Sequence, residues 1–225
     1  MDLLSPFTDP AMVAHYAQST PRKVPGFADL QRMAMLLLAE RAPAAADILV
    51  LGAGGGLELK AFADTQPQWR LVGVDPAAAM LDLARDVLGA HMARVHLVQG
   101  LIDDAPPGPF DGAACLLTLH FLPRTERLRT LRELRRRMAP GAPLVVAHHS
   151  VPRGGDVQTW LARSIAFANR ETVDFAQASA TAAIMAQHLP LLPAEEDEAL
   201  LAEAGFSDIA LFYAGFSFRG WVAAA

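Results

Sequence analysis

Apolar and polar positions along this chain fall into blocks whose period changes from helical to strand-like and back. Gln31–Arg41 repeats its apolar residues at helical spacing and stops before Pro43, which predicts a helix leading into a strand at Asp47–Leu51. The same reading predicts helices over Leu57–Asp64, Pro76–Leu88 and Glu126–Met138, and strands over Arg70–Val74, Arg94–Val98, Phe110–Leu117 and Pro143–His148. Pro76 sits at a tolerated first-turn position. Phe110–Leu117 lacks polar alternation, as expected of a strand covered by helices on both faces. Strands alternating with helices predict a doubly wound, mostly parallel α/β sheet.

The end of the chain follows another rule. A helix over Glu195–Ala204 stops at Gly205, and Ser207–Tyr213 and Phe216–Ala223 follow with only a short break. Both alternate apolar with polar residues, which favours an antiparallel hairpin on the sheet edge. Residues 150–193 read as a helical insertion without strand character, a lid rather than a second domain. The expectation is one domain over residues 1–225, with residues 1–30 as an N-terminal lid segment.

Composition narrows the class. A chain of 225 residues with 52% hydrophobic and 19% charged residues can bury a full core. Its net charge of −5 disfavours nonspecific binding to nucleic acid or an anionic membrane. The run Arg132–Arg137 reads as an exposed helix face rather than a nucleic-acid patch. Met1–Pro6 lacks the basic and apolar regions of a signal peptide, and no apolar run is long enough to span a bilayer. A single cysteine, Cys115, lies in an apolar run and reads as a buried small hydrophobe. A soluble cytoplasmic protein is expected, with a homodimer as its possible assembly.

The chemistry concentrates after the first strand. Ile48–Leu51 runs directly into Gly52-Ala53-Gly54-Gly55-Gly56, and Leu71–Val74 ends on Asp75. Glycines at a strand's carboxyl end let the backbone turn tightly and approach a ligand. A carboxylate at the tip of the neighbouring strand can accept hydrogen bonds from ribose hydroxyls. Asp75 could instead cap the helix beginning at Pro76, but the glycine turn favours ribose. Gly55 and Gly56 could equally be flexible spacers. A dinucleotide fingerprint needs a third spaced glycine where this chain has Leu57, and a triphosphate loop needs a Gly-Lys pair that never occurs. A turn of this kind suits an adenosine ligand without pyrophosphate, and S-adenosylmethionine is one. No His, Cys and Asp cluster has metal-ligand spacing, so no metal is expected.

The chain resembles the class I S-adenosylmethionine-dependent methyltransferases. The likeness rests on Val50–Gly56, Val74-Asp75-Pro76, His96–Asp103, Phe110-Asp111 with Leu116–Leu122, Leu134–Val146, and Ala204-Gly205-Phe206 with Phe216–Val222. It implies a Rossmann-like seven-stranded sheet whose last inserted strand is antiparallel, and methyl transfer to a small-molecule acceptor. It also implies cofactor contacts from Gly52, Ala53, Gly54, Asp75, Pro76, Leu101, Ile102 and Leu116. Leu101 and Ile102 would flank adenine, and Asp103 or Asp104 would accept from its amino group. An N-terminal segment carrying Tyr16, Arg22 and Phe27 would fold over the site.

Arg22–Phe27, Thr118–Leu122 and the terminal hairpin look most like the carboxy-S-adenosylmethionine synthase branch. That branch pairs the extra carboxylate of its cofactor with an arginine where this chain has Leu200, which cannot form the contact. A polar residue on the branch's fourth strand is replaced by Leu116. The ordinary methyl donor is therefore preferred, with the carboxylated relative and a noncatalytic S-adenosylmethionine-binding protein as alternatives. His120, His148 and His149 stand at strand ends as candidate proton acceptors, although methyl transfer demands positioning above all and favours a pocket-wall role. Trp160 and Arg163, with Phe167, Asn169 and Arg170, are the insertion's candidate substrate contacts; an amphipathic helix covering the sheet would use the same residues.

Overall fold

The computed structural model describes residues 5–225; Met1–Leu4, the greater part of the segment read as lacking a signal peptide, lie outside the described residues. Three helices come first: α1 (Ser5–Thr8), α2 (Pro10–Lys23) and α3 (Phe27–Ala39). The alternating body is β1 (Asp47–Leu51), α4 (Leu57–Thr65), β2 (Arg70–Asp75), α5 (Ala78–Leu88), β3 (Val95–Gln99), β4 (Gly112–Leu116), α6 (Arg124–Arg136) and β5 (Pro143–His149). It is followed by α7 (Val157–Ala168), α8 (Phe175–His188), α9 (Ala194–Glu203), β6 (Ser207–Gly215) and β7 (Phe218–Ala224).

The seven strands form one sheet in the order β3-β2-β1-β4-β5-β7-β6. β1 to β5 are parallel, and β7 pairs antiparallel with both β5 and β6. The strand order reverses between β1 and β4, the place where open α/β sheets leave a crevice beyond their strand ends. The hairpin does not simply extend the edge: β7 inserts between β5 and β6. Almost all of its residues are buried, while β6 is largely exposed. The alternation expected for Phe216–Ala223 therefore fails, because both faces of β7 are covered.

Two apolar clusters, one on each face, sandwich the sheet. Leu30, Leu38, Phe62 and Trp69 pack on one side, with Phe62 and Trp69 meeting edge to face. Leu131, Leu134, Leu200 and Trp221 pack on the other. On α6 the buried positions Arg127, Leu128, Thr130, Leu131 and Leu134 follow helical spacing. Arg132, Arg135 and Arg136 are exposed as expected, but Arg137 turns inward to the carbonyls of Ala105 and Asp103 and to Glu133. Residues 150–193 carry no strand, only α7 and α8 with irregular segments around them and a single bridge between Val151 and Pro193, and the two helices share a small apolar core of their own. Among the described residues no helix is long and apolar enough to cross a membrane.

Candidate functional site

The glycine turn is built by sterics. Gly52, Gly54 and Gly56 have φ of 77°, 48° and 78°, a region that side chains disfavour. A Cβ on Gly52 would lie 1.9 Å from Thr118 Oγ1, so the turn presses directly on the chain leaving β4. Gly55 and Gly56 are not flexible spacers. A Cβ at Gly55 would meet Leu83 and the Tyr16 ring at 2.9 and 3.0 Å, and one at Gly56 would meet the Ala84 backbone at 3.0 Å.

Asp75 locks this turn to the neighbouring strand. Its Oδ2 accepts from the Gly54 N–H at 2.9 Å and its Oδ1 from the Ala77 N–H at 2.9 Å. Helix α5 begins only at Ala78 and has no side-chain cap, so Asp75 ties down the chain before it rather than capping it, and each of its oxygens still has a lone pair to offer a ligand. Burial pushes its carboxyl above the usual range, although the two N–H groups pull the other way.

A cleft of about 190 Å³ opens over these strand ends. Gly52, Gly54, Asp75, Pro76, Leu101, Ile102 and Leu116 line it, and so do Phe7, Tyr16, Met80, Thr118, Phe121 and Arg129, which sequence reasoning did not place there, Tyr16 excepted. Ala53 and Phe27 line a smaller cavity beside it, of about 20 Å³, together with Tyr16, Gln31, Gly52, Gly55, Glu58 and Leu116. The N-terminal segment does cover the cleft: Phe7 stacks edgewise on Phe121 at 5.6 Å and faces Tyr16 at 6.5 Å. Arg22 is exposed and lines neither cavity.

Other expectations are corrected. No residue of 150–193 lines either cavity. Arg163 lies over the Trp160 ring at 4.4 Å, Arg170 over Phe167 at 5.9 Å, and Asn169 caps its own loop. These contacts are internal to the insertion, while Phe167 also meets Phe216 at 5.7 Å and Arg219 lies over Trp160 at 5.7 Å from outside it. Asp103 pairs with Arg129 at 2.8 Å and Asp104 accepts from the Leu101 N–H at 2.9 Å, and neither lines the cleft. Leu200 is buried in the core against the sheet, not at the cleft.

The three histidines are also inside. His120 meets His149 at 4.9 Å, and His149 stacks on Phe218 at 3.9 Å while sharing a 2.8 Å hydrogen bond with Ser217. His148 Nε2 is 3.2 Å from Asp197, which also takes the fully buried Arg127 guanidinium. Burial pushes His149 down to about 3 and His120 well below the usual imidazole range, and neighbouring histidines add to both shifts. None of the three lines the cleft. Rings as hard to protonate as His120 and His149 are poor proton acceptors.

This fold is shared with solved methyltransferases. Residues 48–141 match a family described as a methyltransferase domain. Two curated relatives are carboxy-S-adenosyl-L-methionine synthases. That of Chromohalobacter salexigens is 28% identical over 68% of this chain, and that of Geobacter metallireducens 26% identical over 62%. The matched region spans 58% and 59% of those proteins' own length. Among solved structures, a candidate O-methyltransferase from Nostoc punctiforme superposes with a TM-score of 0.70 at 19% identity, covering 95% of this chain and 60% of its own. PigF with SAH gives 0.68 at 18% identity, covering 99% and 61%. Human N-acetylserotonin methyltransferase in complex with SAM gives 0.63 at 14% identity, covering 98% and 58%.

Proposed function

We propose that this chain transfers a methyl group from S-adenosylmethionine to a small-molecule acceptor. The observation that carries the reading is the glycine turn pinned to Asp75 at the reversal of strand order, with an apolar-walled cleft directly above it. The site fits the group. Gly52 and Gly54 bring backbone rather than side chain to the cleft wall, and Asp75 retains acceptor capacity for ribose hydroxyls. Pro76, Met80, Leu101 and Ile102 offer apolar walls to a flat base.

When bound, the cofactor supplies a methyl group activated on a sulfonium. The chain's own contribution is to hold the partners in line and keep water out. Leu116, Leu117, Phe121 and Phe7 close the acceptor side, and positioning of this kind can supply a large part of the barrier reduction. With His120 and His149 held neutral in the core, the acceptor is expected to bring its own nucleophile rather than rely on an imidazole base.

The synthases among the relatives favour a second reading, carboxymethyl chemistry. That chemistry needs a free cation beside the cofactor. Among the described residues, Arg129 is the one arginine lining either cavity, and Asp103 and Glu126 already hold it. Mass spectrometry decides between them. Incubating the full chain with S-adenosylmethionine and a panel of small phenols, amines and thiols should yield S-adenosylhomocysteine and an acceptor heavier by a methyl group. A carboxylated nucleoside copurifying with the protein would overturn the preference. Cytoplasmic location and a homodimer belong to this reading too, and cell fractionation and light scattering test them.

A further inference from the structure

Glu58 lines the small cavity beside the cleft, and the fold leaves its chemistry unused. It lies in the first turn of α4 and is 7% exposed, and its Oε1 has no hydrogen-bond partner. Buried carboxyls in folded proteins are ordinarily paired, since an isolated ionised one is costly in an apolar setting. A purely helix-terminal role would place that oxygen on a first-turn N–H, and it does not. The carboxyl instead borders the small cavity, alongside Tyr16 and Gln31, where that cavity shares Tyr16, Gly52, Leu116 and Leu117 with the cleft. The ionisable groups facing it are Tyr16 from α2 and Cys115 from β4, with Asp75 beyond Tyr16. None is a cation, and among the described residues no arginine or lysine pairs with Glu58.

We propose that Glu58 is the counter-charge for the ammonium group on the amino-acid arm of the ligand, a role that rests on the S-adenosylmethionine reading. The cavity of about 20 Å³ has room for a group the size of a water, which an ammonium is. The Gln31 amide and the Tyr16 hydroxyl offer further acceptors at the same wall. With no cation nearby, burial pushes the free carboxyl well above the usual range, which favours its protonated form. Taking an ammonium supplies the missing charge partner, so Glu58 ionises and its proton passes to the solvent. Binding is thereby coupled to proton release, and a ligand lacking the amino-acid arm releases none from this group.

The test titrates the full chain calorimetrically with S-adenosylhomocysteine and with 5′-methylthioadenosine, which has no amino-acid arm, in buffers of differing ionisation enthalpy. S-adenosylhomocysteine should release protons on binding and methylthioadenosine should not. In Glu58→Gln the release should vanish, and S-adenosylhomocysteine affinity should fall on the order of tenfold to a hundredfold, as for a lost charge-assisted hydrogen bond. Methylthioadenosine affinity should stay unchanged. Undiminished preference for S-adenosylhomocysteine in Glu58→Gln overturns the proposal. Should that variant fail to fold, binding of S-adenosylhomocysteine to the unmodified chain without proton release overturns it alone. Failure of both ligands to bind would instead overturn the cofactor reading, and this role with it.

Discussion

Asp75 and Glu58 are both carboxyls at the ends of the central elements, yet the fold treats them oppositely. Asp75 receives two backbone N–H groups, whereas the Glu58 Oε1 receives none. The difference has a consequence for the free protein. A carboxyl raised in the folded state contributes stability that is present below its unfolded value, ordinarily 4.5 for glutamate, and is lost as pH rises through the folded value. Glu58→Gln should therefore gain on the unmodified chain as pH rises, by up to about 1.4 kcal/mol per pH unit within that window. Urea denaturation across the pH series measures it, and a pH-independent difference would show that Glu58 is already paired. The glycines and Asp75 were legible in sequence because their chemistry is local to one turn and one strand tip. Glu58 was not, because its burial depends on Tyr16 and Gln31 arriving from α2 and α3.

At the level of elements, strand ends were predicted well and their surroundings less so. His120 does follow β4, but His148 and His149 are the last two residues of β5, paired with Arg219 and Phe218 of β7. What sequence could not show is that β7 inserts beside β5 and brings Phe218, Ser217 and Trp221 over them. The same insertion gives Asp197 on α9 a structural task. Although burial pushes its carboxyl up, His148 and Arg127 hold it below the usual range. Asp197→Ala would strand the buried Arg127 charge and should cost about 3–5 kcal/mol in denaturant unfolding. The helical pair α7 and α8 lines neither cavity. Its aromatic and basic residues read as substrate contacts, but Trp160 and Arg163 stack on one another. Trp160→Ala and Arg163→Ala should leave S-adenosylhomocysteine affinity unchanged in calorimetry, and a loss in either would return the insertion to the site.

Across the whole molecule, the parallel body could be read from period alone, since each buried strand is followed by an amphipathic helix. The order of the final strands could not. A short break between two strands dictates a hairpin but not which of its strands meets β5. The contrast between β7, built from small residues and a buried tryptophan, and β6, with exposed Asp208 and Leu211, carried that information in composition rather than in period. The resulting sheet places Gly54, Asp75 and Leu116 at adjacent strand ends and draws α1 and α2 over them. The claim that this crevice takes S-adenosylmethionine is tested most directly by calorimetric titration of S-adenosylhomocysteine into the full chain and into Gly54→Arg. Gly54 has φ of 48°, and a Cβ there would already stand 3.3 Å from the Tyr16 hydroxyl. Saturable binding to the unmodified chain and none to the folded variant is the predicted result; binding to both alike, or to neither, would contradict it.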